Sequence, residues 1–212
     1  MQVRTRHTPA FGVARLVLAP GESVQGDYDA MLATSFGVLV DVRPRGGARA
    51  RAKGPHPAMF TAPPEGGWVD MAPALPGEVY TLELDGVTGW CVSRGSWLSA
   101  SGTIRHDPAW PGFRPMFGAE HGFLEHVAGH GSLVLTSCGA LDVVNLEAGE
   151  AITIAPGCLV AYTDGAQTRL RAVHQSIHQS MRTGEGLLLD FAGPGQVLTQ
   201  TRKPQAMAAA LA

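Results

Sequence analysis

A short phrase built around Gly-Glu recurs along this 212-residue chain, and it constrains the fold more than any other feature. The phrase is written "LAPGESV" (18–24), "ALPGEVY" (74–80) and "LEAGEAI" (146–152). A second phrase, in which two apolar residues stand between small ones, follows at 30–33, 96–99 and 158–161. Recurring phrases of this kind are the sequence sign of repeated structural units, so we predict three related units. The alternative is that short Gly-Glu turns recur by chance in a strand-rich chain.

Strand-sized apolar runs separated by Gly, Pro or Asp make up most of the chain. The composition agrees, because 45% of the residues are hydrophobic and the chain holds 27 Gly and 15 Pro. Ten runs lie at 13–19, 36–43, 78–84, 132–137, 141–146, 150–154, 158–163, 168–173, 186–191 and 196–201. Short, closely spaced runs with turn residues between them predict an all-β sandwich or barrel. Only "QAMAAALA" (205–212) has a helical composition, and it is too short to be a stable helix alone.

The order of the phrases predicts how the chain is divided. A hairpin pattern precedes the second and third Gly-Glu phrases, only half a hairpin precedes the first, and a spare hairpin stands at 185–201. We therefore predict a single all-β domain over 1–203 with a tail at 204–212. Its units cover 58–117, 118–184, and 11–57 completed by 185–201. The N- and C-terminal strands would then close one unit together and remove two exposed sheet edges.

Charge and cysteine content exclude several classes of protein. A formal net charge of −2 gives no general attraction to nucleic acid, so a nucleic-acid partner is not supported by charge. Cys91, Cys138 and Cys158 are odd in number and form no CxxC, which favours reduced, buried thiols in a cytoplasmic protein. No apolar run reaches the length of a membrane span, and the first twenty residues lack the apolar centre of a secretory signal. We expect no integral membrane segment.

Several stretches together resemble a known family. They are "LAPGESVQGDYDAMLA", "PALPGEVYTLELDG", "AGEAITIAPGCLVAYT" and, most specifically, "RTGEGLLLDFAGPGQVLTQTR". The chain resembles the family of altered inheritance of mitochondria protein 24 from about Leu16 to Arg202. The resemblance implies an all-β fold related to the tryptophan RNA-binding attenuation protein (TRAP), and mitochondrial members are linked to inner-membrane organisation. It implies no catalytic residue. An Arg-rich segment stands here where many relatives have a long Gly-rich one.

The Gly-Glu phrases supply the first candidate site. Glu22, Glu78 and Glu150 offer one carboxylate per predicted unit, and a ring of three could contact a ligand or a cation. The plainer reading is that each acid is solvated or bonds the backbone of its own turn, and the sequence favours that reading.

The Arg-rich segment at 41–57 is the second candidate. Arg45, Arg49 and Arg51 could contact phosphates or other anions. No aromatic residue stands among them to stack on bases, so a solvated loop is the favoured reading.

Histidines and tryptophans complete the candidates. His121, His126 and His130 lie in "EHGFLEHVAGHG", and His174 and His178 lie near the last hairpin. A cupin-like metal site needs two histidines one residue apart on one strand, and no His-x-His occurs, so surface or turn positions are favoured. Trp97 stands at the apolar position that Met31 and Leu159 hold in the other phrases, which predicts a core side chain.

These observations favour a non-enzymatic scaffold or binding protein that is homo-oligomeric. The expectation of an oligomer rests on the apolar stretch "AWPGFRPMFG" (109–118), which could cover a neighbour or cap its own barrel. No nucleophile elbow or phosphate-binding glycine motif occurs, and no cofactor is expected. Two alternatives stay open: a nucleic-acid or small-ligand binding protein, by analogy with the TRAP-like fold, and a metal-dependent cupin-like enzyme.

Overall fold

A computed structural model describes residues 1–42, 57–107, 123–173 and 186–210. The alternation of apolar and polar side chains explains why these segments form strands. In the second strand Ala14, Leu16 and Leu18 are buried on one face, whereas Arg15 and Val17 on the other face are partly exposed. The predicted all-β class is confirmed.

The described residues contain nineteen strands, three short helical elements and the turns that join them. The first ten strands are β1 (Gln2–Arg6), β2 (Val13–Leu18), β3 (Ser23–Asp27), β4 (Met31–Thr34), β5 (Leu39–Val42), β6 (Pro57–Thr61), β7 (Gly67–Met71), β8 (Val79–Asp85), β9 (Trp90–Ser93) and β10 (Trp97–Ser101). The other nine are β11 (Arg105–Asp107), β12 (Leu124–Ala128), β13 (His130–Thr136), β14 (Leu141–Leu146), β15 (Ala151–Ile154), β16 (Leu159–Thr163), β17 (Gln167–Ala172), β18 (Leu187–Ala192) and β19 (Gly195–Gln200). Single 3-10 turns occur at Tyr28–Ala30 and Pro156–Cys158, and helix α1 is Pro204–Ala210.

The strands form four antiparallel sheets. Sheet 1 has the order β1-β2-β7-β4, sheet 2 β5-β6-β3-β10-β13-β8, sheet 3 β11-β12-β9-β16-β19-β14 and sheet 4 β15-β18-β17. We divide the strands into a first group (β2–β7), a second group (β8–β13) and a third group (β14–β19). Sheets 2 and 3 each join two groups, because β3 pairs with β10 and β9 pairs with β16.

The three groups share one irregularity at the same place. β4, β10 and β16 each pair with the last strand of their own group, and each register slips directly after the first residue of the strand. Met31, Trp97 and Leu159 hold that first position. Trp97 is only 7% exposed, in agreement with its predicted core position.

The middle Gly-Glu phrase lies in a different place from the other two. Gly21 and Gly149 lie in the turns that follow β2 and β14, with φ of 70° and 92°. Gly77 instead precedes β8 and forms isolated bridges with Phe11 and Gly139, which precede β2 and β14. Similar sequences therefore occupy two different structural positions. Because the predicted units were aligned on the Gly-Glu phrase, the predicted second unit does not coincide with the second strand group.

We predicted that the N- and C-terminal strands complete one unit together, and this prediction is wrong. β19 pairs with β14 and β16, and β18 pairs with β15 and β17, so the last hairpin completes the third group. β1 pairs with β2 and extends sheet 1 of the first group. The strand groups therefore divide the chain at 72–78 and 137–140, whereas the predicted units divided it at 57, 117 and 184.

Each group encloses a buried apolar core, and neighbouring groups share side chains. Leu16, Phe60 and Met71 are fully buried in the first core, and Leu189 and Phe191 are fully buried in the third. The first core also contains residues of the second group, namely Val79, Leu98 and Val134. The second core contains residues of the third group, namely Val160, Ala161 and Leu198. The groups are therefore parts of one folded body.

The outer face of sheet 1 carries one buried acid. Asp70 on β7 is 3% exposed and accepts hydrogen bonds from Nε and Nη2 of Arg15, each at 2.8 Å, and from Nη2 of Arg6 at 2.7 Å. The Arg15 guanidinium lies 4.0 Å from the ring centre of Trp68. The hydrogen bonds from Arg15 and then Arg6 lower the pKa of Asp70 to about 2. This cluster attaches β1 to the rest of the sheet.

We expect Asp70→Asn to lower the free energy of unfolding by roughly 1–2 kcal/mol at pH 7, because both arginines lose their carboxylate. The stabilisation requires ionised Asp70, so the wild type keeps it above about pH 4 and loses it as the pH falls towards 2. Urea unfolding measured from pH 2 to 7 tests both points. Asp190→Asn is the control, since Asp190 pairs with Arg171 at the surface and its loss should matter less. An equal effect of both variants contradicts the prediction.

We expect Gly77→Ala to destabilise the fold by about 3 kcal/mol or more, because a methyl group there would meet the backbone carbonyl of Ser137. Gly165→Ala is the matched control, since a Cβ at Gly165 would have no heavy atom within 4 Å. Thermal unfolding of the two variants beside the wild type measures the difference. Similar melting temperatures would show that the backbone contact is not important.

Candidate functional site

Four exposed apolar side chains lie close together in the sequence of the first group. We call Leu32, Phe36, Leu39 and Val40 the edge surface; they are 57%, 101%, 70% and 37% exposed. The four residues lie on β4, on β5 and in the turn between these strands. Single exposed apolar residues are ordinary, but a cluster of large ones indicates a contact surface.

The backbone beside this surface is also open. β10 pairs with β13 on one side and β3 on the other, and β16 pairs with β19 and β9. β4, which holds the same place in the first group, pairs only with β7 among the strands that the structure describes. Within the same residues, β15 pairs only with β18. We call the unpaired sides of β4 and β15 the open edges.

Three matching positions, one in each group, show how the open edge affects the exposure of an apolar side chain. Leu32, Leu98 and Val160 are each the second residue of their strand, directly after the first residue where the register slips. Leu98 is 2% exposed and Val160 is 0% exposed, whereas Leu32 is 57% exposed. Leu98 and Val160 lie in the core of the preceding group, and no group precedes the first one among the described residues. Leu32 is therefore an apolar side chain without the neighbour that its counterparts have.

A shallow cleft of about 370 Å³ lies where the second and third groups meet. Its lining includes Glu83, Asp85, Trp90 and Gln196. Glu83 accepts a hydrogen bond from the Ser132 hydroxyl, and Asp85 accepts bonds from the backbone and hydroxyl groups of its own turn. The amide of Gln196 donates to Asn145 at 2.6 Å. These polar groups already have partners within the protein.

The predicted glutamates do not share one environment. Glu22 accepts a hydrogen bond from the backbone N–H of Ala19, and Glu150 accepts one from that of Glu147, both at 2.8 Å. These two acids bond the backbone of their own turns, as the plainer reading predicted. Glu22 also contacts the N-terminal ammonium group. Glu78 lies elsewhere and accepts a hydrogen bond from the backbone of Leu141 at 3.0 Å, so the three acids do not hold equivalent positions.

Two of the predicted histidines lie on separate strands. His126 on β12 is 2.9 Å from the Asp164 carboxylate, while His130 is the first residue of β13. No group of three or more His, Cys, Asp or Glu residues is placed to hold a metal ion in the described parts of the chain. His121, His174 and His178 lie outside the described residues, as do Arg45, Arg49, Arg51 and the apolar stretch 109–118.

Sequence reasoning missed His106. Its ring is 4.6 Å from the ring of Trp97, and neither ring nitrogen has a hydrogen-bond partner in the described residues. Burial lowers the pKa of His106 to about 4, so the ring is neutral at pH 7. Its position opposite Val127 in the β11–β12 pair determines its burial, and no sequence motif marks it.

The three cysteines are free thiols. Cys91 and Cys138 are buried, and Cys158 is partly exposed. Burial raises the pKa of the Cys91 thiol, so this residue is a poor nucleophile at pH 7. Cys91 faces Tyr162 on the paired strand β16, in the apolar third core.

Comparisons with known proteins agree on the fold. The family described as Mitochondrial biogenesis AIM24 matches residues 3–202. An uncharacterised protein of Streptococcus pyogenes serotype M6 is 28% identical over 143 residues, which are 64% of this chain and 54% of that protein. The crystal structure of SPYM3_0169 from Streptococcus pyogenes superposes with a TM-score of 0.79 at 21% identity, over 99% of this chain and 97% of that one. No helix within the described residues is long and apolar enough to cross a membrane.

We expect Leu98→Ala to cost about 2–5 kcal/mol of stability and Leu32→Ala less than about 0.5 kcal/mol in dilute solution. Shortening Leu98 leaves a cavity in a closed core, whereas the side chain of Leu32 is already exposed in the isolated chain. Chemical unfolding at low protein concentration measures both changes. A large loss for Leu32→Ala under these conditions would contradict an open edge.

Proposed function

The chain belongs to the AIM24 family, and we propose that it acts as a non-enzymatic scaffold that works as a homo-oligomer. The observation that carries the proposal is the edge surface, where Leu32, Phe36 and Leu39 are more than half exposed. Apolar side chains of this size gain roughly 1.5–3 kcal/mol each when they are fully buried. These three exposed apolar side chains lie within eight consecutive positions of the chain, so one partner could cover them together.

We also propose that the three strand groups are internal repeats arranged as a TRAP-like open arc. The shared slip after Met31, Trp97 and Leu159 supports this arrangement. So does the sharing of sheets, since each internal junction repeats the same pairing between neighbouring groups. An arc of repeats has two ends, and each end exposes one strand edge that an internal group covers.

The two other readings of the sequence have less support. The arginines expected to contact nucleic acid lie outside the described residues, and the cleft between the second and third groups has polar groups that already bond one another. A cupin-like enzyme needs converging metal ligands, and the described residues do not supply them. We therefore favour a scaffold in the cytoplasm, whose role comes from assembly.

The apolar side chains alone would give only a weak complex. Association costs an estimated 4–15 kcal/mol in lost translational and rotational freedom, which is comparable with the gain from burying the edge surface. The open backbone of β4 adds hydrogen-bonding groups to the same contact. The proposed oligomer is therefore expected to have a dissociation constant in roughly the micromolar range.

Sedimentation velocity over a range of protein concentrations tests the proposal. We expect the wild type to sediment as a concentration-dependent oligomer, and the double variant Leu32→Glu, Phe36→Ser to sediment as a monomer. Val87→Ser is the matched control, because Val87 is 90% exposed but lies in the β8–β9 turn of the second group. A wild type that stays strictly monomeric up to about 100 µM would overturn the proposed scaffold.

A further inference from the structure

We propose that the open edge of β4, together with Leu32, binds a second copy of this chain, with β4 of one copy pairing antiparallel with β15 of the next. Sheet 1 of the first copy and sheet 4 of the second would become one continuous sheet. This inference rests on the proposed function, since it names the partner and the contact of the homo-oligomer.

The chain already makes this contact twice within itself. β10 pairs with β3 so that Ser99, Ala100 and Ser101 lie opposite Gly26, Gln25 and Val24. β16 pairs with β9 so that Ala161, Tyr162 and Thr163 lie opposite Val92, Cys91 and Trp90. In both cases the pairing begins two residues after the first residue of β10 or β16. The two internal junctions thus have the same geometry.

Among the described strands, β4 and β15 each lack the second partner that their counterparts have at the internal junctions. β4 holds the place of β10 and β16, because all three have the same slip against the last strand of their group. β15 holds the place of β3, because Ile152 lies opposite Phe191 as Val24 lies opposite Phe60. Each open edge therefore matches one side of an internal junction. The edge of β4 matches the β10 and β16 side, and the edge of β15 matches the β3 side.

The internal junctions also predict the register between copies. Residues 33, 34 and 35 correspond to 99, 100 and 101, and residues 154, 153 and 152 correspond to 26, 25 and 24. Ala33 should therefore lie opposite Ile154, Thr34 opposite Thr153, and Ser35 opposite Ile152. A shift by one residue would turn the side chains to the wrong face, so the register is specific.

The side chains support the same partner. Leu98 lies in the core of the first group and Val160 in that of the second, in each case the group before their own. Leu32 would in the same way enter the third core of the neighbouring copy, which includes Ile154 and Phe191. Its exposure of 57% would then approach the 2% of Leu98.

One feature makes this junction weaker than the internal ones. Asp70 lies opposite Ala33, at the position where Val134 lies opposite Ser99 and Leu198 lies opposite Ala161. The first group therefore brings a paired acid to the contact, where the other groups bring an apolar side chain. Arg6 and Arg15 both pair with Asp70, so this cluster carries one excess positive charge, and covering it costs free energy that the internal junctions do not lose. Association between copies is thus reversible.

The assembly would be head-to-tail. The two surfaces differ, so each added copy leaves one free β4 and one free β15, and growth ends only when a ring closes. The inference therefore predicts rings or open chains in place of a two-fold dimer.

Disulfide crosslinking between copies tests the contact and its register. One copy carries Thr34→Cys with an affinity tag and the other carries Thr153→Cys, both with Cys158→Ser because Cys158 is partly exposed. Directly opposite residues lie within the Cα separation that a disulfide needs. We expect mild oxidation to give a mixed disulfide dimer, and each variant alone to give none. Gln167→Cys replaces Thr153→Cys as the control, since β17 is the far edge of the same sheet.

The outcomes separate this inference from the proposed function. Self-association without the Thr34–Thr153 disulfide, or crosslinking to the control position, would overturn the β4–β15 contact while leaving the scaffold intact. A wild type that never self-associates would overturn both. A single chain carrying both cysteines gives a further check: a disulfide within that chain would mean that its own ends meet, and it would also overturn the inference.

Discussion

Strand pairing between neighbouring groups is the interaction on which the rest of the structure depends. The β3–β10 and β9–β16 pairs extend sheets 2 and 3 to six strands each. The same pairs bring Leu98 and Val160 into cores that belong to the preceding group. Without these junctions, two cores would lose apolar side chains and four strands would expose unpaired backbone groups. The groups therefore depend on one another for their stability.

The fold class was predictable because it depends on local patterns. Short apolar runs between turn residues indicate strands wherever they occur, and the shared place of Met31, Trp97 and Leu159 could be read from spacing alone. The predicted boundaries between units were wrong because a glycine can be required for two different reasons. Gly21 and Gly149 adopt positive φ in turns, whereas Gly77 is needed for close approach to Ser137. The residues around these glycines are similar, so the sequence does not show whether a glycine is needed for its backbone conformation or for close packing.

The candidate site could not be predicted, because it depends on neighbours that are distant in sequence. Leu32, Leu98 and Val160 look alike in the chain, and only the strand beside each one decides its exposure. The cluster on sheet 1 has the same property, since Asp70 lies far along the chain from Arg6 and Arg15. By contrast, the local bonds of Glu22 and Glu150 span three residues, and sequence reasoning anticipated them.

Specificity and strength come from different parts of the proposed junction. The backbone edges of β4 and β15 determine which surfaces meet, because a ladder of hydrogen bonds requires matching strands and a matching register. The side chains determine how strongly they meet, and here Asp70 replaces the apolar residue of the internal junctions. An apolar residue at this position would favour permanent assembly and make the open edge prone to aggregation. The charged cluster of Asp70, Arg6 and Arg15 leaves the choice of partner to the backbone edges and allows the copies to separate.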